Sequence, residues 1–321
     1  MLTRVLSARA ATLRVPDTAV ERDAHSRENL ELAERLGDPV AHWAALADRL
    51  TVAIEIADAA EVERSLTAEV ELSGELAQPY EAWITLVHQA WHTFMRGRLD
   101  ESEAIATRGL ELGLEIGQPD AFVFYGAQLF VLREAQGRLA ELIPILEQSI
   151  EENPNIAGFR AALSLALTHQ GDTAGGYRLL AADAATDFAD VPRDVVWSTT
   201  MSVYADAAAA LGATAEGTRV LEILRPYTHL IAADGAHVYK PVALSAGVLA
   251  ARLGHPDAAT LLDQARAIAT SLDAPLWHAR ALIATAGLTD DPTLAATARH
   301  LVHHLGPTAA TVEADRVLGT T

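Results

Sequence analysis

The strongest constraint on this chain is a short motif that returns at a fixed interval. Leu36-Gly37-Asp38-Pro39 is followed 40 residues on by Leu76-Ala77-Gln78-Pro79, and 40 residues later by Ile116-Gly117-Gln118-Pro119. Each copy reads as a helix stop followed by a helix start. A small residue ends one helix, and Pro opens the next, where its missing N–H costs no hydrogen bond. Gly97-Arg98-Leu99 and Gly137-Arg138-Leu139 repeat at the same interval and mark a second turn inside each unit. A period of this size predicts stacked copies of one supersecondary unit, none of which can bury its apolar face alone.

The rest of the chain carries the same kind of pattern. Breakers run from Pro16-Asp17 through Asn153-Pro154 and Gly212 to Asp291-Pro292, and no stretch alternates as a strand would. Joining these cuts predicts an all-α chain of about sixteen helices whose short links force antiparallel neighbours. A repeat array can be one long domain, so residues 1–321 are read as a single helical-repeat domain. The repeats are more regular over 17–152 and less regular over 153–321. Residues 225–240 read as a longer loop between helices, the kind of connection that tends to carry function.

Composition narrows the functional classes. Lys and Arg total 24 against 43 Asp and Glu, a formal charge of −19, which argues against binding a phosphate backbone. The absence of cysteine excludes disulfides, thiolate metal sites and a cysteine nucleophile. Met1 to Val15 is amphipathic, with Leu2, Val5, Leu6 and Leu13 among Arg4, Arg9 and Arg14, and lacks the apolar core of a signal peptide. With no apolar run of about 18 residues, the expectation is a soluble cytoplasmic protein with no membrane partner. Lys240 is the only lysine, which reads as compositional bias toward Arg. Clustered carboxylates such as Glu61, Glu63, Glu69 and Glu71 read as solvated helix faces.

Finer motifs sit inside the first helix of each pair. Trp43-x2-Leu46-Ala47-x2-Leu50 and Trp83-x2-Leu86-Val87-x2-Ala90 resemble the W-x2-L-G-x2-Y pattern of tetratricopeptide repeats. Trp197-x2-Thr200-Met201-x2-Tyr204 has the same spacing, and Trp277 opens a weaker copy. The period departs from the standard 34 residues, which longer helices would absorb. The resemblance implies a right-handed superhelix, a tetratricopeptide-like α-solenoid. Phe122 to Phe130 with Glu134 to Leu139, Val191 to Trp197, and Leu221 to Tyr227 resemble the C-terminal helical-repeat region of large actinobacterial signal-transduction ATPases. Those proteins join an ATPase to a LuxR-type DNA-binding domain or an adenylyl cyclase. The likeness implies a sensor or interaction scaffold, either stand-alone or a C-terminal portion. It carries no catalysis here, because no G-x-x-x-x-G-K-[ST] phosphate loop and no basic helix-turn-helix is present.

The repeat register sorts the candidate residues. Trp43, Trp83, Trp197 and Trp277 hold the packing position. Trp91 lies eight residues after Trp83, a little over two turns on, where the tetratricopeptide pattern points into the concave groove. His88 precedes it by three residues on the same face. Asp48 in the preceding unit, and Phe124 with Gln128 in the following one, hold equivalent positions. Asp48, His88, Trp91, Phe124 and Gln128 therefore form the candidate ligand-binding set. Aromatic area, an imidazole, an amide and a carboxylate together suit a peptide, a protein domain or a small effector. The acidic surroundings favour cationic partners. A homodimer is compatible with this reading, and no cofactor is expected.

His88 and His92 share a face but lack the Glu of H-E-x-x-H and a third ligand, so no metal is expected there. His300, His303 and His304 sit near a helix end, where the dipole favours positive charge. The leading expectation is a regulatory binding scaffold with no catalytic residue. The alternative is an enzyme of small-molecule metabolism using His88, beside Trp91, as acid or base.

Overall fold

A computed structural model of the chain describes residues 14–319, so the expectation for residues 1–13 lies outside the described residues. Among those described, sixteen α-helices account for nearly all regular structure. Contacts divide the chain into two compact units: Met1–Leu129 with Ala233–Val238, and Phe130–Ala232 with Tyr239–Thr321.

The first unit holds α1 (Ala19–Leu36), α2 (Pro39–Glu55), α3 (Ala59–Leu76), α4 (Pro79–Met95), α5 (Leu99–Glu115) and the start of α6 (Ala121–Gln136). The repeated motif is a working helix boundary. Gly37 closes α1 in the left-handed region at φ 67°, and the Asp38 carboxylate accepts from Val40 N and Ala41 N ahead of α2. One period on, Ala77 adopts φ 50° to close α3, and Pro79 opens α4. Gly117 repeats the left-handed turn at φ 72°. From α1 to α5, each helix packs on the next.

The second unit continues with α7 (Ile143–Glu152), α8 (Ala157–Gln170), α9 (Thr173–Ala184), α10 (Trp197–Leu211) and α11 (Thr214–Leu224). After a short hairpin come α12 (Val242–Leu253), α13 (Ala258–Ser271), α14 (Pro275–Thr289), α15 (Pro292–Val302) and α16 (Ala309–Leu318). Successive helices pack together here too, and α8, α10, α12, α14 and α16 also stack on one another as a row. That row is the core. Almost every residue of α10 is buried, whereas α11 buries only Gly217, Val220, Leu221 and Leu224.

The segment expected as a loop is more ordered than its sequence suggests. After a 3-10 turn at Arg225–Tyr227, β1 (Ile231–Ala233) pairs with β2 (Val238–Pro241). All residues of both strands are buried, so the polar–apolar alternation that would betray them is missing. No helix among the described residues is long and apolar enough to cross a membrane.

Candidate functional site

The five residues selected by the repeat register fall into two environments. His88, Trp91 and Gln128 are interior, at 3%, 1% and 3% exposure, while Asp48 and Phe124 are half-buried. The open groove expected around Trp91 is therefore covered. Among the described residues its indole N–H has no hydrogen-bond partner, and its ring meets the His88 ring edge-on at 5.9 Å.

His88 turns toward α3. Its Nδ1 lies 2.9 Å from both carboxylate oxygens of Glu69, which is fully buried. A carboxylate only accepts, so the imidazole donates from Nδ1. Thr85 Oγ1 donates to Glu69 at 3.2 Å and receives the Trp43 indole N–H at 3.3 Å. A neighbouring pair repeats the theme at the surface, where His92 Nε2 lies 2.8 Å from Glu63 Oε1. Of the four carboxylates expected to form a solvated face on α3, Glu63 and Glu71 are exposed, whereas Glu61 and Glu69 are buried. Glu69 answers α4, while Glu61 sits 3.5 Å from the buried Arg49 of α2. A helix wedged between two neighbours turns charged residues inward on both sides, and local spacing does not reveal which.

Phe124 stacks on Trp83 at 5.3 Å, and Tyr80 sits between Trp43 and Trp83 at 6.3 and 5.9 Å. This aromatic ladder crosses three consecutive units of the repeat. Tyr80 stays 47% exposed. Burial raises the pKa of its hydroxyl, and the negative charges of Glu81, Asp48 and Asp120 raise it further. Asp48 thus belongs to the acidic surroundings of the ladder. Trp43, Trp83, Trp197 and Trp277 are all buried, as the packing position requires.

Gln128 has a different task. Its Nε2 donates both protons, to Val87 O of α4 at 3.0 Å and to Ala236 O at 2.9 Å. Ala236 belongs to the tip of the hairpin, which is counted with the first unit. Arg14 donates to Asp234 O at 3.1 Å and to Thr51 Oγ1 at 3.2 Å. The tip is shaped from within. Asp234 Oδ1 accepts from Ala236 N at 2.9 Å and His237 N at 3.0 Å, and the His237 ring lies 3.0 Å from Asp234 Oδ2. Burial alone would raise the Asp234 pKa, but the charge and hydrogen bonds of His237 outweigh it and hold the carboxyl below its ordinary value.

The second unit contains a charged network that sequence reasoning missed. Lys240, the sole lysine, is 2% exposed. Its Nζ reaches Glu134 Oε1 at 3.1 Å and Asp206 Oδ2 at 2.9 Å, and Tyr239 OH donates to the same Asp206 oxygen at 2.6 Å. Arg280 closes the network on Glu134. Burial would push Glu134 up, but Arg280 and Lys240 prevail and hold its pKa at about 2. Four elements, α6, α10, β2 and α14, contribute one or more members. A fully paired network of this kind fixes how elements meet. The only signal in the sequence was the isolation of Lys240 in an Arg-rich chain.

No protein-family model matches the chain, and no curated protein matches it. The class that fold and site define is accordingly an all-helical array of packed helix pairs. Among the described residues no group of His, Asp or Glu is arranged to hold a metal ion.

Proposed function

We propose that the chain is a binding scaffold of the tetratricopeptide kind, with a regulatory rather than catalytic role. Its helix pairs wind as a right-handed superhelix, and the first unit holds a basic, amphipathic segment of a protein partner. The observation that carries this reading is one exposed apolar side chain at each repeated helix start. Val40, Tyr80 and Phe122 are 39%, 47% and 64% exposed, with Leu36, Leu114 and Val123 exposed beside them. Val40, Tyr80 and Phe122 are each the second residue of a helix, and apolar side chains exposed at matching helix positions, rather than singly, mark an interaction face. Glu34, Asp38, Glu75, Glu115 and Asp120 are exposed in the same three turns, against Arg35. Apolar anchors flanked by carboxylates complement a helix with Leu on one face and Arg on the other.

The probe is a fluorescein-labelled Leu/Arg amphipathic peptide titrated with the whole protein. Phe122→Ser with Val40→Ser should weaken binding by about tenfold or more, as removal of central anchors does. Both side chains are solvent-facing, so the helical circular dichroism should persist. Equal affinity for the wild type and the folded double variant would reject this edge as the binding face.

A further inference from the structure

The tip of the hairpin, Ala233–Val238, sits where the repeat register places a ligand. Asp48, His88 and Gln128 stand one 40-residue period apart on α2, α4 and α6. At one end of this row, Gln128 grips Ala236 O across 108 residues of sequence. At the other, Arg14 holds Asp234 O and is itself fixed on Thr51, whose hydroxyl donates to Asp48 O at 2.9 Å. The tip is therefore held at both ends of the row, by Gln128 of α6 and, through Arg14, at Thr51 of α2. Ala236, His237 and Val238 are buried there.

The manner of holding is that of peptide recognition. Both anchors take main-chain carbonyls, which any peptide offers, so affinity comes from backbone and selectivity from shape. The shape requirement is narrow. Asp234 folds its own turn by capping Ala236 N and His237 N. Gly235 follows at φ +93°, and a Cβ there would meet Arg14 Nη1 at 2.6 Å. The left-handed φ strains any residue with a Cβ, and that Cβ would also displace the end of the Arg14 side chain.

We propose that Ala233–Val238 is a ligand the chain supplies to its own repeats, and that the Asp48–His88–Gln128 row accepts an external peptide turn of the same chemistry. That turn has an Asp-Gly step, two free carbonyls two residues apart, and a small residue after the Gly. The resident tip is tethered at high effective concentration and so screens the row against weak competitors. Apparent affinity for an outside peptide then scales with the fraction of molecules whose tip has left. This site is separate from the Val40–Tyr80–Phe122 edge, and either can fail without the other.

The test uses a labelled synthetic peptide with the sequence of residues 231–241 and the whole protein. Gly235→Ala in the protein loosens the resident tip but leaves the row intact, so the variant should bind the peptide about tenfold more tightly than wild type. Adding Gln128→Ala should abolish that gain. Equal affinity of the folded Gly235→Ala variant and the wild type, or a gain that survives Gln128→Ala, overturns the proposal. Hydrogen exchange on the wild type gives an independent reading that needs no variant to fold. Saturating peptide should speed exchange at the backbone amides of Ala236, His237 and Val238. Unchanged exchange in peptide-saturated protein would overturn it as well.

Discussion

Ala77 sits at φ 50°, in the left-handed region that Gly37 and Gly117 occupy one period before and after it. A Cβ in that region crowds the following carbonyl, a strain of about 1–2 kcal/mol that Gly avoids. Ala77 is exposed and makes no compensating packing contact through burial. Ala77→Gly should therefore stabilise the protein by about 1 kcal/mol despite the greater freedom of Gly in the unfolded chain. A rise in the urea midpoint at unchanged slope would show it; a fall would mean that the turn is not strained. At this scale the sequence is most readable. Pro39, Pro79, Gly37 and Gly117 act on their own backbone, so their spacing announces the turns without knowledge of the fold. The fate of His88 and Trp91 could not be read the same way. The register gives the face of α4 they occupy, but Glu69 and the covering of Trp91 come from other segments.

Elements meet through contacts that no local pattern predicts. Lys240 finds Asp206 and Glu134 at separations of 34 and 106 residues. The strand that carries it was invisible because both its faces are buried. The helices, by contrast, were legible as about sixteen because most of their boundaries lie at or near a Gly, Pro, Asp or Asn breaker. The Lys240 network has a pH signature. Glu134 has a folded-state pKa of about 2, against an ordinary value of 4.5. A depressed carboxylate pKa contributes stability that is complete above the unfolded value and is lost as pH falls through the folded one. Between pH 6 and pH 3 this group alone should remove roughly 2 kcal/mol of stability. Glu134→Gln should be destabilised at pH 7, by about 3 kcal/mol, because Lys240 and Arg280 lose their shared partner. Its stability should then fall less than that of the wild type between pH 6 and pH 3. Urea titrations of both proteins at the two pH values measure the difference, and equal losses would show that Glu134 is not held ionised by its neighbours.

At the scale of the whole molecule, the formal charge of −19 sets the sign of any long-range attraction. Uniform acidity would attract cations everywhere, but the repeated turns add apolar anchors in one place, at Val40, Tyr80 and Phe122. A basic amphipathic segment therefore binds by steering first and burial second, so salt should slow its association more than it speeds its release. The most direct measurement is a hydrogen-exchange footprint of the whole protein saturated with the Leu/Arg amphipathic peptide. Exchange should slow in three separated stretches, 34–40, 74–82 and 114–123, with little change in α8 to α16. Protection spread over the second unit, or a bound peptide that leaves all three stretches unchanged, would contradict the claim that the repeated motif builds the binding face.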